Sequence, residues 1–242
     1  MREEIYEPTY VEKLFDKMSD SYARVNYITS FGFSKRWRKQ CVKAAGIEKG
    51  AKVYDLMTGM GECWAQILEN MGPKGKLFAL DISTNMLNRA RKRKEKIRDR
   101  EIQIIKENVF ENSFPDGEAD FIISGFGIKT FNQDQLKTLA EEMFRLLKSG
   151  GKLSVIEVSV PPNHLLRSLY MFYLKQIIPV LGWMFLGSPE TYKMLGIYTE
   201  KFGNSKALEP VFTQAGFRVT YVSYFFGCAT GIVAEKMKPS ER

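Results

Sequence analysis

The sequence predicts an α/β protein whose doubly wound sheet is mostly parallel and ends in an antiparallel hairpin. Strand-like and helix-like segments alternate over residues 52–158, as in parallel sheets that helices cover on both faces. A Gly-x-Gly turn follows the first strand-like segment, and an acidic residue ends the second. Near the end of the chain, only residues 226–228 separate two strand-like segments, so these two must pair antiparallel.

Two helices are expected before the sheet, in an N-terminal helical appendage that spans residues 1–46. Apolar and aromatic residues recur at helical spacing over residues 9–22, which predicts the first helix. Ser34 is a suitable N-cap for the second helix, and Gly46 stops it.

A ligand-binding core is expected over residues 47–160. Its predicted order is strand 52–56, helix 62–71, strand 76–81, a helix capped by Ser83, strand 102–106, strand 119–124, helix 133–147 and strand 152–158. Residues 204–236 complete the sheet with a helix over 205–215 and hairpin strands over 217–225 and 229–236. The whole chain is expected to form one domain.

Residues 161–203 interrupt the alternation and are predicted to form a helical lid over the ligand site. Their apolar stretch, residues 165–187, approaches the length of a membrane span, but Arg167 and Lys175 lie inside it and Pro179 breaks it. One or two amphipathic helices are therefore expected instead. A channel for an apolar group would be lined by Leu169, Phe172, Ile177, Leu181, Trp183 and Phe185.

The composition is that of an ordinary globular protein, with 44% hydrophobic and 26% charged residues in a chain of 242. Cys41, Cys63 and Cys228 are scattered without a Cys-x-x-Cys pair, so neither a metal site nor a disulfide framework is expected. The first five residues have no apolar core behind their positive charge, unlike a signal peptide. A cytoplasmic location is expected.

The net charge of +8 comes largely from residues 89–100, RARKRKEKIRDR, which are predicted to form one basic helix. A solvated helix face is the preferred interpretation, because no aromatic residues interleave with the basic ones as a base-stacking surface would require. Nucleic acid is therefore not the expected partner. Peripheral contact with a membrane is compatible with the charge.

The segment VYDLMTGMG, residues 53–61, predicts the ligand site. The backbone can approach a ligand closely at Gly59 and Gly61, where side chains are absent. Asp81 ends the next strand and is placed to accept hydrogen bonds from two ribose hydroxyls. A nucleoside ligand is therefore expected.

Two nucleoside cofactors compete for this turn. A dinucleotide fingerprint needs a third glycine where Trp64 stands, and Asp55 would repel a pyrophosphate. S-adenosylmethionine carries an α-ammonium group and a sulfonium and has no phosphate. The sequence therefore favours S-adenosylmethionine over NAD.

Further donor contacts are expected at the ends of successive strands. Ile82 and Met86 would lie against the adenine, Asn108 would contact its edge and Val109 its face. Gly125 would let the backbone approach the sulfur end. Each residue also has a structural interpretation: Asp81 as a helix cap, Asn108 as a turn residue and Gly125 as a bend.

Longer motifs give the chain a family resemblance. From about residue 11 to residue 236 it resembles the ubiquinone and menaquinone biosynthesis C-methyltransferases, a family with the Rossmann-like class I methyltransferase fold. The matching pieces are FDKMSDSYARVN (15–26), SFGFSKRWR (30–38), DLMTGMGE (55–62), ALDISTNML (79–87), GFGIKTF (125–131), LLKSGGKLSVIEVSVP (146–161), Tyr192 with Leu195, and AGF (215–217). The Tyr-x-x-x-Asn pattern of Tyr22 and Asn26 and the Gly-Phe-Gly-Ile run are its more specific parts.

The resemblance implies transfer of a methyl group from S-adenosylmethionine to a ring carbon of a prenylated hydroquinone, with S-adenosylhomocysteine as product and no metal. The acceptor would be a small molecule, a lipid quinol in this family. Family donor contacts fall on Met60, Asp81, Asn108, Val109 and Gly125. The full expected donor-binding set is Asp55, Thr58, Gly59, Met60, Gly61, Asp81, Ile82, Met86, Asn108, Val109 and Gly125.

Two candidate catalytic residues follow from position alone. Lys129 would stabilise the oxyanion of the ionised acceptor, and Tyr22 would relay the proton that the ring carbon loses. The structural interpretations are a solvated side chain for Lys129 and a core residue with a hydrogen-bonded hydroxyl for Tyr22. The sole histidine, His164, is expected to be exposed in a loop.

The chain departs from the family pattern at four places: Ala23, Lys129-Thr130, Tyr198 and Gly231-Ile232-Val233-Ala234. The family usually has Asp, Arg-Asn, Ser and Leu-His-x-Gly there. All four departures are expected outside the donor pocket, in segments that face the acceptor. They leave the acceptor's identity open.

Three other functions stay open on the sequence alone. The nearest is a methyltransferase for a soluble aromatic compound or secondary metabolite. An RNA methyltransferase is less favoured, because Ser124-Gly125-Phe126-Gly127 replaces the Pro-Pro-aromatic turn expected for amino-group methylation of bases. A binding protein that keeps the donor pocket but has lost turnover is compatible with the departures.

Overall fold

The computed structural model describes residues 4–184 and 189–238, and these contain one seven-stranded sheet. Its strands are β1 (Lys52–Leu56), β2 (Lys76–Asp81), β3 (Glu101–Lys106), β4 (Ala119–Gly125), β5 (Leu147–Val158), β6 (Phe217–Tyr224) and β7 (Ala229–Lys236). They lie in the order β3-β2-β1-β4-β5-β7-β6, with β1 to β5 parallel and β7 antiparallel to β5 and β6. The predicted doubly wound sheet and its hairpin are confirmed.

Helices lie before, between and after these strands. They are α1 (Pro8–Met18), α2 (Tyr22–Thr29), α3 (Phe33–Ala45), α4 (Trp64–Met71), α5 (Thr84–Lys94), α6 (Gln133–Leu146), α7 (His164–Phe172), α8 (Ile178–Met184), α9 (Pro189–Phe202) and α10 (Leu208–Gln214). Apolar residues of α3, α4 and α5 pack on one face of the sheet, and those of α6 and α10 pack on the other. The sheet is therefore covered on both faces, as its continuous apolar strands require.

The strand order places the ligand crevice. β1 pairs with β2 on one side and with β4 on the other, so the chain order reverses between β1 and β4. At such a switch point, the connections leave the carboxyl ends of neighbouring strands in opposite directions and open a crevice between them.

The N-terminal region differs from its prediction. The expected helix over residues 9–22 ends at Met18 as α1, and a further helix that the sequence does not predict, α2, starts at Tyr22, so three α-helices of the described residues precede the sheet. Ser34 is not the N-cap of α3, because Gly32 adopts a left-handed conformation (φ 76°) and starts the helix earlier. Ser34 N instead donates to Ser30 Oγ at 3.1 Å. Gly46 ends α3 in a left-handed conformation, as predicted.

The basic helix is also shorter than predicted. α5 begins at its expected cap, where Ser83 Oγ accepts a hydrogen bond from Met86 N at 3.2 Å, but it ends at Lys94 and not at residue 100. Most side chains of residues 91–100 are exposed, which agrees with the interpretation of a solvated basic surface. The expected helix over 205–215 is a short turn, Ser205–Ala207, followed by α10.

The lid consists of α7, a π-helical turn at Tyr173–Ile177, α8 and α9. His164 is exposed as predicted but begins α7, because Asn163 Oδ1 accepts a hydrogen bond from Leu166 N at 3.0 Å and caps the helix. Over the described ranges, no helix has both the length and the apolar character needed to cross a bilayer.

Candidate active site

A cavity of about 80 Å³ lies at the carboxyl ends of β1, β2 and β4, and we call it the turn cavity. Eight of the expected donor-binding residues line it: Thr58, Gly59, Asp81, Ile82, Met86, Asn108, Val109 and Gly125. The N-terminal segment contributes a roof of Tyr6, Pro8, Val11 and Phe15. Asp55, Met60 and Gly61 are not part of the lining.

Asp81 ties the glycine turn to the end of β2. Its Oδ2 accepts a hydrogen bond from Gly59 N at 2.7 Å, and its Oδ1 accepts one from Ser83 N at 2.9 Å. Burial raises the pKa of Asp81 to about 6, although these backbone hydrogen bonds oppose the shift. The carboxylate also interacts with the Ile82 backbone N–H, and its remaining lone-pair capacity is available to a hydroxyl group in the cavity.

Asp55 lies behind the lining and supports the turn. Its side chain is fully buried, and the Thr58 hydroxyl donates to its Oδ2. Trp64 Nε1 in turn donates to Thr58 Oγ1 at 2.9 Å. Burial raises the pKa of Asp55 to about 7, and the hydrogen bond from Thr58 is the largest opposing effect.

Gly61 and Met60 have packing contacts. A Cβ atom on Gly61 would lie 2.5 Å from the Trp64 ring, and the residue has a φ of 76°. The close approach here is therefore between turn and helix. The Met60 side chain is buried in an apolar cluster with residues of α1, α5 and the lid.

Sequence reasoning missed Arg38 and Glu62 as individual site residues, and both line the turn cavity. Glu62 Oε2 accepts a hydrogen bond from Met60 N at 3.0 Å, while Oε1 lies 3.6 Å from Arg38 Nη2 and has no hydrogen-bond partner among the described residues. The Arg38 guanidinium stacks over the Phe126 ring at 4.7 Å. A buried carboxylate with an unused oxygen is a suitable partner for a cationic group.

A second cavity of about 370 Å³ lies beneath the lid, and we call it the lid cavity. Its wall is mainly apolar and aromatic and includes Leu14, Met18, Phe33, Trp37, Tyr170, Tyr173, Leu174, Ile178, Tyr192 and Leu195. Phe15, Tyr22, Phe126 and Thr130 line both cavities. The two cavities therefore share a wall, as the sites for two reacting molecules would.

Both expected catalytic residues line the lid cavity. Lys129 is only 6% exposed, and its Nζ donates to Glu157 Oε1 at 2.7 Å and to the Phe126 carbonyl at 3.1 Å. The interpretation of Lys129 as a solvated side chain is therefore wrong. Burial raises the pKa of Tyr22, and the charge of Arg38 opposes the shift.

The predicted channel lining is wrong. Leu169, Phe172, Ile177 and Trp183 are exposed on the outside of the lid, and neither they nor Leu181 line the lid cavity. Phe185 lies outside the described residues. The lining comes from the opposite side of the same helices, at residues such as Tyr170 and Leu174. Because large apolar residues occur on both the inner and the outer side of the segment, its periodicity alone does not identify the inner face.

The departures from the family pattern divide into two groups. Lys129, Thr130 and Tyr198 line the lid cavity, as expected, although Thr130 also lines the turn cavity. Ala23 is exposed, and residues 231–234 lie inside β7, so neither faces a cavity, contrary to expectation. A Cβ atom on Gly231 would lie 2.1 Å from the Val155 carbonyl oxygen, so strand pairing requires that glycine.

Solved structures share this fold. A SAM-dependent methyltransferase from Aquifex aeolicus superposes with a TM-score of 0.59 at 21% identity and covers 83% of this chain and 89% of its own. Phosphoethanolamine N-methyltransferase 2 of Haemonchus contortus, in complex with S-adenosylmethionine, superposes with a TM-score of 0.59 at 16% identity. The match covers 91% of this chain and 60% of that enzyme. The fold is that of the class I S-adenosylmethionine-dependent methyltransferases.

The sequence comparison is more specific. The chain belongs to the ubiE/COQ5 methyltransferase family, whose pattern matches residues 3–237. It is 34% identical over 223 residues to the demethylmenaquinone methyltransferase of Anoxybacillus flavithermus, covering 90% of this chain and 92% of the relative. The enzyme of that name from Listeria monocytogenes is 33% identical over 220 residues, with the same coverage. The protein is therefore an S-adenosylmethionine-dependent methyltransferase.

Proposed function

We propose that the protein transfers the methyl group of S-adenosylmethionine to a ring carbon of a prenylated hydroquinone of the demethylmenaquinone type. The observation that carries the proposal is the wall that the two cavities share, formed by Phe15, Tyr22, Phe126 and Thr130. A donor in the turn cavity and an acceptor in the lid cavity would meet at this wall. The names of the relatives support the choice of acceptor.

The residues of the turn cavity fit the donor. Asp81 would hold the ribose hydroxyls, Ile82 and Met86 would pack against the adenine, and Asn108 and Val109 would contact its edge and face. Gly125 would leave room for the sulfur end. The remaining residues of the expected set would shape the glycine turn around the methionine part of the donor; they are Asp55, Thr58, Gly59, Met60 and Gly61.

We assign the α-ammonium group of the donor to Glu62. Its Oε1 is buried and lacks a hydrogen-bond partner among the described residues, and Glu62 lines the turn cavity. Arg38, 3.6 Å from that oxygen, would then lie near the donor carboxylate. The pair would thus neutralise both charges of the amino-acid part.

The lid cavity fits a hydroquinone with an apolar tail. Its large apolar surface would take the tail, and the buried Lys129 would face the ring hydroxyls from the wall. Two of the three Lys129 N–H groups are used by Glu157 and Phe126, so one is left for an oxyanion.

In the proposed reaction, ionisation of a ring hydroxyl makes the neighbouring carbon nucleophilic. That carbon forms a bond to the methyl group while the carbon–sulfur bond breaks, and the electron pair stays on sulfur as S-adenosylhomocysteine. The ring carbon then loses its proton to the Tyr22 oxygen while the Tyr22 hydroxyl proton passes to the ring oxygen, which becomes a hydroxyl again as the ring regains aromaticity, so the net proton released is the one lost in the first ionisation. The enclosing apolar wall excludes water from the reacting atoms.

A soluble aromatic acceptor is the second candidate. Lys129, Thr130 and Tyr198 differ from the usual family residues and line the lid cavity, so the acceptor could differ in its ring. RNA has no such support, because an apolar cavity wall does not complement a phosphate backbone. For a prenylated acceptor, we propose a cytoplasmic enzyme in peripheral contact with a membrane.

Methyl transfer from labelled donor tests the proposal. The enzyme is incubated separately with a short-tailed demethylmenaquinol, soluble phenols, RNA and a cell lipid extract, and products are identified by mass spectrometry. We expect a ring-methylated quinol, and label in RNA or in phenols alone would exclude this acceptor. Lys129→Met should lose most turnover, whereas the exposed Lys137→Met should not.

A further inference from the structure

The lid helices carry an apolar stripe on their outer side. Leu165, Leu169, Phe172, Val180 and Trp183 recur three, four or eight residues apart along α7 and α8, and all are exposed. Trp183 is 68% exposed. The other side of these helices is apolar too and packs on the molecule. When a helix carries apolar residues on both sides, both sides are normally buried in contacts. We therefore expect the outer stripe to contact another molecule.

Aromatic residues from two turns extend this stripe around the lid cavity. Phe31, 81% exposed, lines the cavity and stacks on Tyr173, with the ring centroids 6.3 Å apart. Phe225 also lines the cavity, and its neighbour Phe226 is 78% exposed. All three phenylalanines have positive φ angles, which are unfavourable for side chains of this size. Exposed phenylalanine rings on two strained turns, two of them lining the cavity, therefore lie at its edge. We name the set the apolar rim: Phe31, Leu165, Leu169, Phe172, Val180, Trp183, Phe225 and Phe226.

The chain segments that form the apolar rim are basic. Residues 21–47, 158–189 and 217–234 contain no Asp or Glu. They contain, respectively, six, two and one Lys or Arg residues; Arg38 among them is buried beside Glu62, and Lys175 and Arg218 pair with Glu200 and Glu235 of other segments. Arg24 and Lys35 in the first segment are exposed. A second copy of this chain would bring the same positive charge, so the charge favours an anionic partner over self-association.

We infer that the apolar rim docks on the surface of a lipid bilayer that contains anionic lipids. Aromatic and aliphatic side chains would enter the region between headgroups and acyl chains, and the surrounding Lys and Arg residues would contact the headgroups. The inference extends the proposed function, because an acceptor with a prenyl tail could then pass from the bilayer directly into the lid cavity through the opening that Phe31 and Phe225 border.

Trp183 provides a direct probe of this contact. The other two tryptophans, Trp37 and Trp64, are 5% and 0% exposed, so a change in tryptophan emission reports on Trp183. Wild-type protein is mixed with phosphatidylcholine vesicles with or without phosphatidylglycerol, in the absence of donor and quinol. We expect flotation with the phosphatidylglycerol vesicles, a shift of Trp183 emission to shorter wavelength, and weaker binding as salt increases.

A triple variant, Leu169→Ser/Phe172→Ser/Phe226→Ser, tests the surface itself. None of the three residues lines either cavity, and all are exposed. We expect vesicle partitioning to fall by at least about tenfold. A matched control, Arg91→Ser/Lys92→Ser/Lys96→Ser, removes exposed basic residues of the α5 region and should partition within about threefold of wild type. Heats of S-adenosylhomocysteine binding should be the same for all three proteins.

Two results would overturn the inference. One is equal vesicle binding by wild type and the triple variant. The other is absence of vesicle binding by wild type; if sedimentation then shows a wild-type dimer that the triple variant loses, the apolar rim is a self-interface. The vesicle experiment contains no acceptor, so a lack of vesicle binding would not argue against the proposed methyl transfer. Equally, if the enzyme methylates a different acceptor, the vesicle result still stands.

Discussion

The Lys129 ammonium group and the Glu157 carboxylate form a buried ion pair with Nζ and Oε1 2.7 Å apart. Glu157 Oε1 also accepts from Val158 N at 2.7 Å, and Oε2 accepts from Lys129 N at 3.2 Å. The carboxylate at the end of β5 therefore fixes both the side chain and the backbone of Lys129 beside the lid cavity.

We expect Glu157→Gln to lower the free energy of unfolding by about 3–5 kcal/mol, because it leaves the Lys129 charge buried without its counter-charge. Urea denaturation would measure the loss. Adding Lys129→Met to Glu157→Gln should recover part of it, since the buried charge is then gone. Asp134→Asn, which breaks the exposed pair with Lys137, is the control and should have little effect. An equal, small effect of both single variants would contradict this account.

Lys129 should also control the rate. Lys129→Arg keeps the positive charge and matches the usual family residue, so we expect it to keep kcat within about tenfold, whereas Lys129→Met should lose about 100-fold or more. Donor affinity should stay near wild type in both, because Lys129 does not line the turn cavity. Single-turnover methylation measures the rate of methyl transfer, and calorimetry measures the donor affinity. Equal rates for Lys129→Met and wild type would remove Lys129 from the mechanism.

The sheet could be predicted because each strand is a local apolar run, and parallel strands bring their carboxyl ends to one edge. That is why Asp81, Asn108 and Gly125, far apart in sequence, line one cavity. The pairing of Arg38 with Glu62 could not be predicted, because it depends on how α3 packs against the turn. Nor does any sequence pattern predict that Gly32 starts α3 before Ser34.

The lid shows a different limit of sequence reasoning. Periodicity identifies a buried face clearly only when the opposite face is polar, and residues 165–184 carry large apolar side chains on both. The structure places Tyr170 and Leu174 inside and Phe172 and Trp183 outside. Four of the six residues that the sequence predicts for the channel, Leu169, Phe172, Ile177 and Trp183, therefore lie on the outer surface.

Donor affinity should depend on pH through Asp81. Burial raises the pKa of this carboxyl to about 6 in the free protein, so below that pH a proton must leave before the carboxylate can accept ribose hydroxyls. We expect the affinity for S-adenosylhomocysteine to fall as pH drops below about 6, by up to about tenfold per unit. Asp81→Asn should weaken binding by about 10- to 100-fold at neutral pH and flatten the profile. Calorimetry from pH 5 to 8 would test this, and an unchanged slope in the variant would assign the titration elsewhere.

Asp55 should make the fold less stable as pH rises. Its pKa is about 7 in the folded protein against 3.8 for an ordinary aspartate, so between these values the folded state holds a proton that the unfolded state has released. The free energy of unfolding should therefore fall as pH rises from about 4 to 7, by at most about 1.4 kcal/mol per unit from this group. Asp55→Asn should remove that contribution. Urea denaturation of wild type and Asp55→Asn at several pH values isolates this contribution. If the free energy of unfolding depends on pH equally in both proteins, the assignment to Asp55 is wrong.

Tyr198 should hold the roof of the turn cavity closed. Its hydroxyl donates to the Ile5 carbonyl, and Gln135 Nε2 donates to the Tyr6 carbonyl at 3.0 Å, so the N-terminal segment is fixed at two neighbouring residues. The turn cavity, about 80 Å³, is smaller than the ~300–1,000 Å³ usual for ligand sites, so we expect this roof to move when the donor enters. We expect Tyr198→Phe to speed hydrogen exchange in residues 5–15 and to raise the rates of donor association and dissociation together. Stopped-flow binding would measure both rates. Tyr27→Phe, at an exposed position, serves as the control, and slower association in Tyr198→Phe would show that the hydrogen bond does not restrain the roof.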